Sequence, residues 1–154
     1  MRVAIALGSN VGNRAAHLAW AVRQLSQIVS GLIVSQAIST KPVGEGLEHD
    51  PDFLNAAAVG ETDLAPASLI ASLLEIERRR GRERPHVNAP RTLDLDLILA
   101  GDSVIDEPGV QVPHPRFRQR RFVLEPLASI APDMVDPVTG QTVGELFSRV
   151  KGVP

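Results

Sequence analysis

Two aspartates interrupt an apolar run near the middle of the chain. In the segment PRTLDLDLILAGD, residues 90–102, Asp94 and Asp96 stand two residues apart, shortly after Arg91. Side chains of a β-strand alternate between two faces, so in a strand both carboxylates project from one face, with Cα atoms roughly 6.5–7 Å apart. Like charges this close repel each other unless protons or a cation neutralise them. Oxygen ligands on a rigid face suit Mg²⁺, and two such ions about 3.5–4 Å apart could share the pair.

A wet outer face of an antiparallel sheet is the simpler alternative, because aspartates are harmless there. The neighbouring arginines favour the metal site: Arg91 precedes the run, and Arg82 and Arg84 lie in the polar stretch before it. A polyphosphate needs both groups, since the metal bridges phosphate oxygens while guanidinium groups bind the remaining ones. The pattern therefore favours a phosphoryl or pyrophosphoryl transferase. The chain has no G-x-x-x-x-G-K-[ST] loop and no protein-kinase signature set.

Composition narrows the class of protein. The chain has 154 residues, 44% of them hydrophobic, a formal net charge of −2 and no cysteine. It therefore predicts a single domain, residues 1–154, without disulfides or cysteine-bound zinc, and it argues against general nucleic-acid binding. The N-terminal apolar run is too short for a signal peptide, and no run reaches the roughly 18 residues of a membrane helix. We expect a cytoplasmic protein that does not bind membranes.

The basic residues are unevenly distributed along the chain, and this distribution says more about binding than the net charge does. Ten of the 16 fall in two short windows, and this clustering indicates a local anion site, with a solvated charged face as the plainer alternative. The ten are Arg78, Arg79, Arg80, Arg82, Arg84, Arg91, Arg116, Arg118, Arg120 and Arg121.

The elements that must position these residues follow from hydrophobic periodicity. In order, the patterns predict a strand at 2–7, a helix from about Arg14 to Val29 with Asn13 as N-cap, strands at 32–39 and 53–59, a helix from Pro66 to about Arg80, and a strand at 92–99. This β-α-β-β-α-β order predicts an α+β, ferredoxin-like sandwich with an antiparallel sheet and a C-terminal extension. In that loop-rich extension we predict a short helix beginning near Pro126. A last helix is predicted to start at Thr142, which can form a capping box with Glu145.

Seven segments together resemble one known family, that of 6-hydroxymethyl-7,8-dihydropterin pyrophosphokinase, and the resemblance runs nearly end to end. They are ALGSNVGN (6–13), STKPVG (39–44), PDFLNAA (51–57), IERRRGRER (76–84), APRTLDLDLIL (89–99), VPHPR (112–116) and RFVLEPLASIAP (121–132). The resemblance implies an Mg²⁺-dependent transfer of pyrophosphate from ATP to the pterin's hydroxymethyl oxygen in folate biosynthesis, with AMP as the other product. It also implies small-molecule substrates only, and we expect a monomer.

Roles for individual residues follow from the same resemblance. Asp94 and Asp96 would ligate two Mg²⁺ ions on the ATP phosphates, with Arg82 and Arg91 neutralising charge at the attacked phosphorus. Nucleotide contacts are implied for a further set: Glu77, Arg84, Ile98 (against adenine), His114 and Arg120.

The pterin pocket is implied to consist of Thr40, Val43, Phe53, Asn55, Asp94 and Phe122. Phe53 and Phe122 would sandwich the ring, and Asn55 would bind its polar edge. The family often carries a tryptophan lid before the PR segment, where this chain has Asn88 and Ala89. The segments 44–50 and 82–90 are rich in Gly, Pro or polar residues, and we predict that they close over both substrates.

Two other functions remain open from the residues alone. A D-x-D motif also occurs in glycosyltransferases that hold a sugar nucleotide through a metal, although 154 residues leave little room for the nucleotide domain of that class. A ferredoxin-like regulatory module could bind a small ligand without chemistry. Such a module would not require Asp94 and Asp96 to share a pocket with arginines.

Overall fold

The computed structural model describes residues 1–41, 52–81 and 92–152. Its elements are β1 (Arg2–Ser9), α1 (Arg14–Leu25), β2 (Ser30–Val34), β3 (Ile38–Thr40), β4 (Phe53–Glu61), α2 (Pro66–Gly81), β5 (Asp94–Ala100), β6 (Ile105–Glu107), β7 (Val110–Val112), a 3₁₀ turn (Phe117–Gln119), α3 (Arg121–Ile130) and α4 (Val143–Val150). The main sheet is antiparallel with strand order β2-β4-β1-β5, and β3 also pairs with β4. This arrangement confirms the predicted ferredoxin-like fold.

The predicted second strand is two short strands, because one residue too many stands opposite β4. Val34 pairs with Ala58 and Ile38 with Asn55, so four steps along one chain match three along the other. Ser35 absorbs the mismatch: its amide donates to the carbonyl of Ala57 (2.8 Å), while its hydroxyl accepts from the Ala57 amide (2.9 Å). A side chain thus replaces a backbone partner, and the ladder breaks there.

Strict alternation along residues 92–99 would place Leu93, Leu95, Leu97 and Leu99 on one face, but a bulge in β5 interrupts it. Ala4 pairs with Leu99 and Ile5 with Leu97, which leaves Ile98 as the extra residue. Leu93, Leu95 and Leu97 lie in one hydrophobic cluster, as expected. Leu99 lies instead in the cluster on the opposite face, together with Ile98.

Both faces of the sheet are covered, in three layers. Helices α1 and α2 bury one face with Leu18, Leu25, Leu69 and Leu73. Helices α3 and α4 cover part of the other, where the second cluster is built from Ala4, Ala57, Val59, Ile98, Leu99, Phe117, Val123, Leu124, Leu127, Ala131, Met134, Val143 and Leu146.

The C-terminal extension contains more structure than predicted. Its first helix begins at Arg121 rather than near Pro126, which lies inside α3. The proline costs one backbone hydrogen bond, and the buried side chains of Val123, Leu124 and Leu127 outweigh that cost. The hairpin β6–β7 was not predicted, although its Pro108–Gly109 turn, with Gly109 at φ +78°, is a turn signal.

Side-chain caps confirm the predicted starts of α1 and α4. Asn13 caps α1 by accepting from the amide of Ala16, and Thr142 forms the predicted capping box with Glu145 at the start of α4. Helix α1 ends at Leu25, earlier than predicted, while Val29 is still buried in the first cluster.

Candidate active site

The two aspartates begin an edge strand and share one face of it. Asp94 lies opposite Gly8 of β1 and Asp96 opposite Ala6, while the intervening Leu95 packs into the first cluster on the other face. Both aspartates are half-buried. The alternation that the sequence predicts is therefore present at this end of β5, before the bulge.

Glu77 of α2 adds a third carboxylate at the same edge. Its Oε2 accepts a 2.6 Å hydrogen bond from the amide of Leu95, which binds the end of the helix to the free edge of β5. Burial, and then repulsion from Asp94 and Asp96 together with a hydrogen bond to Asp94, raises the pKa of Glu77 to about 7, although the Leu95 amide acts to lower it. The negative field at this edge therefore favours a cation.

Basic groups face the carboxylates from the segment after β7. The amide of His114 donates to the carbonyl of Ile98 at the bulge (3.0 Å), and the amide of Arg116 donates to Nδ1 of His114 (3.2 Å). Burial, and then the charges of Arg120 and Arg116, lowers the pKa of His114, while Asp94 acts in the opposite direction. His114 is thus a neutral imidazole whose Nε2 carries the proton and can donate it in a hydrogen bond.

Arg120 completes this basic group and is coupled to both aspartates. Burial, and then the charge of Arg116, holds the pKa of Arg120 below its ordinary value, although Asp96 and Asp94 act to raise it. Its guanidinium lies over the ring of Phe122, 5.5 Å from the ring centroid. Phe122 in turn packs against the second cluster, on the same sheet face as Ala6.

A polar row crosses the sheet beside the carboxylates. Asp94, Gly8 and Asn55 are neighbours on three adjacent strands, and Nδ2 of the buried Asn55 donates to Oγ1 of Thr40 at 2.5 Å. A Cβ at Gly8 would lie 3.1 Å from Oδ1 of Asn55 and 3.8 Å from the ring of Phe53. Because Gly8 has no side chain, the sheet surface between the Asn55 amide and the Asp94 carboxylate is formed by backbone alone, and we call it the pocket floor.

Several predicted site residues lie outside the described residues: Val43, Arg82, Arg84 and Arg91. The predicted closing segments, 44–50 and 82–90, lie there as well. Ile98 is described, but its side chain is only 1% exposed and belongs to the second cluster. A contact between that side chain and adenine stays a prediction.

Sequence reasoning missed one ion pair behind the site. Asp136 has no exposed surface and accepts from Nε and Nη2 of Arg118 (2.5 and 3.0 Å), from Oγ1 of Thr139 (2.7 Å) and from the amide of Val138 (3.0 Å). The pair ties the 3₁₀ turn between His114 and Arg120 to the loop that precedes α4. The Asp-x-x-Thr spacing is a turn signal, but nothing in the sequence points to Arg118 as the partner.

Comparison with known proteins decides the family. A family model described as 7,8-dihydro-6-hydroxymethylpterin-pyrophosphokinase (HPPK) matches residues 4–132. The chain belongs to this family. Among curated HPPK relatives, the 2-amino-4-hydroxy-6-hydroxymethyldihydropteridine pyrophosphokinase of Synechocystis is 38% identical over 95% of this chain and 74% of its own length. The Haemophilus influenzae protein of the same name is 37% identical over 94% of this chain and 90% of its own.

Longer proteins contain the same domain. The folic acid synthesis protein fol1 of Pneumocystis carinii is 36% identical over 96% of this chain, which spans only 20% of that protein. The wild-type Plasmodium falciparum HPPK-DHPS structure matches with a TM-score of 0.70 and 14% identity, over 98% of this chain and 45% of that one. At that identity the match supports the fold alone. Within the described ranges, no helix is long and apolar enough to span a bilayer.

Proposed function

We propose that this chain transfers pyrophosphate from ATP to the hydroxymethyl oxygen of 6-hydroxymethyl-7,8-dihydropterin, giving AMP, as the name of its family indicates. The observation that carries the proposal is that Asp94, Asp96 and Asn55 share one sheet face, with Arg120 and His114 beside the aspartates. The carboxylates suit a metal, the basic groups suit phosphates, and the amide suits a flat polar ring. We also expect the enzyme to act as a cytoplasmic monomer.

The metal ligands in this proposal are Asp94 and Asp96. The part of the chain that the structure describes contains no group of three or more His, Asp or Glu side chains placed to hold a metal on its own. Two carboxylates fit Mg²⁺, which keeps several waters and takes its remaining ligands from phosphate oxygens. When bound, the ions would neutralise phosphate charge and orient the transferred group.

The phosphates would be held by hydrogen-bond donors that face the carboxylates. Neutral His114 can donate from Nε2, and Arg120 offers a guanidinium fork whose direction is restrained by the ring of Phe122. The resemblance adds Arg82, Arg84 and Arg91 to this group. Together they would stabilise the negative charge that develops on the oxygens around the attacked phosphorus.

The pterin would lie over Gly8 and Ala6, where the sheet presents no long side chain. Asn55 is held by Thr40 so that its Oδ1 lies over Gly8, ready to accept from an N–H on the ring edge. Phe53 and Phe122 would supply aromatic faces for the ring. Asp94 borders both subsites, so the reacting hydroxymethyl oxygen would approach the ATP phosphates at that residue.

The alternatives separate in one assay. Incubation with ATP, Mg²⁺ and the hydroxymethyl dihydropterin should yield AMP and the pterin diphosphate. Formation of ADP would mean that a different bond is cleaved, and absence of turnover with tight ligand binding would favour a regulatory module.

Substitution of the carboxylates tests the metal site. Asp94→Asn and Asp96→Asn should each reduce turnover by about 10²-fold or more while the fold is retained. Asp102→Asn, at an exposed aspartate in the turn after β5, is the matched control and should keep full activity. Normal turnover in both site variants would remove the basis of the proposal.

A further inference from the structure

Helix α2 ends beside the active site, and helix ends fray unless side chains hold them. Two contacts hold its last turn among the described residues. Glu77 accepts from the amide of Leu95 on β5 (2.6 Å), and Nε of Arg80 donates to Nδ1 of His17 on α1 (2.9 Å). The first contact places a carboxylate next to Asp94, and the second joins the same turn of α2 to α1.

Arg80 is held by two side chains, one turn apart on α1. Besides the hydrogen bond to His17, its guanidinium carbon lies 5.2 Å from the ring centroid of Trp20. Arg80 is half-buried, whereas Arg78 and Arg79 in the same turn are exposed. Arg78 binds Glu75 within α2 and so does not connect the helix to its surroundings.

His17 is suited to accept this hydrogen bond. Burial, and then the charge of Arg80, lowers the pKa of His17, against a backbone hydrogen bond at Val11 that raises it. The imidazole is therefore neutral at pH 7 with Nδ1 as acceptor. Its Nε2 borders the β1–α1 turn, since a Cβ at Gly12 would lie 3.4 Å from it. Among the described residues, Arg80 is the charged group that lowers the pKa of His17.

We propose that His17 and Trp20 are positioning residues, which fix Arg80 and thereby hold the last turn of α2 so that Glu77 stays on the β5 edge beside the metal-binding carboxylates. They contact no substrate. Their effect is on the fraction of molecules whose nucleotide site is correctly assembled, because an apparent dissociation constant rises as the competent fraction falls. The inference deepens the proposed function and rests on it for the identity of the nucleotide.

The test compares two arginines in one helical turn. Arg80→Met and Arg79→Met remove the same charge from adjacent positions of α2, but only the first removes the contacts with His17 and Trp20. Calorimetry with Mg²⁺ and α,β-methylene-ATP should show about tenfold weaker binding for Arg80→Met and less than threefold for Arg79→Met. Equal losses in the two variants would show that charge alone matters and would overturn the proposal.

Substitutions at His17 supply the rescue. His17→Leu should weaken binding of the same nucleotide about fivefold, whereas His17→Gln, whose amide oxygen can accept from Arg80, should stay within about twofold of the original protein. Affinity for 6-hydroxymethylpterin should be unchanged in both, since no residue proposed for its pocket lies on α1 or α2. A loss of both ligands to the same extent would indicate general destabilisation and contradict a positioning role.

A readout without ligand separates this inference from the proposed function. Amide hydrogen exchange at residues 78–81 should be about tenfold faster in His17→Leu than in the original protein, with the amides of β4 unaffected. If exchange is unchanged, the inference fails even where AMP formation is normal. If exchange is faster but no AMP forms in the original protein, the proposed function fails and the positioning role remains.

Discussion

The Asp136–Arg118 pair offers a sharp test of how the site is supported. Replacing Asp136 with Asn keeps the side-chain shape but removes the negative charge and one acceptor oxygen. Four donors converge on this carboxylate, which has no exposed surface, and the Arg118 side chain is 24% exposed. Breaking a fully buried pair from one side costs about 3–5 kcal/mol. Because Arg118 can recover some hydration, we expect Asp136→Asn to lower the free energy of unfolding by about 2–3 kcal/mol.

Urea unfolding at pH 7 measures this loss, with equal slopes required of both proteins. Asp133→Asn is the matched control: Asp133 also pairs with an arginine, Arg2, at 3.0 Å, but its side chain is 73% exposed, and we expect no measurable change in midpoint. Arg118→Met combined with Asp136→Asn completes a double-mutant cycle, with an expected coupling of at least about 1.5 kcal/mol. A coupling near zero would refute the view that the two side chains stabilise the fold as a pair.

The pH dependence of the same variant has a defined sign. Burial alone would raise the pKa of Asp136, but hydrogen bonds from Arg118, Thr139 and Val138 outweigh it and hold that pKa below its ordinary value. The pair therefore contributes stability at neutral pH and loses it as the pH falls from the ordinary value through the folded-state pKa. In Asp136→Asn this part of the acid destabilisation should disappear.

Three further predictions concern the site and its supports. Gly8→Ala should raise the KM for the pterin several-fold and leave nucleotide affinity unchanged, because the new Cβ lies 3.1 Å from Oδ1 of Asn55; an unchanged KM would exclude Gly8 as the pocket floor. Glu77 has a folded-state pKa of about 7 against an ordinary 4.5, so between these pH values the folded protein holds a proton that the unfolded chain releases. Metal-free protein should therefore lose stability as the pH rises through this range, and Glu77→Gln should reduce the pH dependence of the urea midpoint. Thr142→Ala removes the capping box of α4 and should cost about 1 kcal/mol in urea unfolding, with no change in AMP formation.

The fold was predictable where one periodicity determines one element. Alternation in β1 and the start of β5, the short apolar run of β4, and the apolar stripes of α1 and α2 were enough to order the ferredoxin-like sheet. The same alternation placed Asp94 and Asp96 together on one face. Register irregularities were not predictable. The alternation ends at Leu97, but the apolar residues that follow do not show that Ile98 is the extra one, because the bulge depends on pairing with β1.

Long-range contacts between polar side chains were equally hidden. Asp136 and Arg118 are 18 residues apart, and Arg80 and His17 are 63 apart, so no local pattern pairs them. The helix at Arg121–Ile130 was misplaced for a related reason, since Pro126 is a local breaker signal and tertiary burial of its neighbours overrides it. Motif resemblance, by contrast, supplied Thr40 and Phe122 as predicted pocket residues, which the residue patterns alone did not indicate.

Strand β5 forms one border of the main sheet, and border strands invite pairing with a second molecule. Glu77 accepts from the outward amide of Leu95, and two aspartates stand on the same strand, so the acids of the candidate site also discourage intermolecular strand addition. Neutral substitutions in this group would therefore carry a second effect, a greater tendency to aggregate at high concentration. If such variants precipitate when they are concentrated, the cause would be the exposed edge of the sheet as much as the loss of the acidic groups from the site.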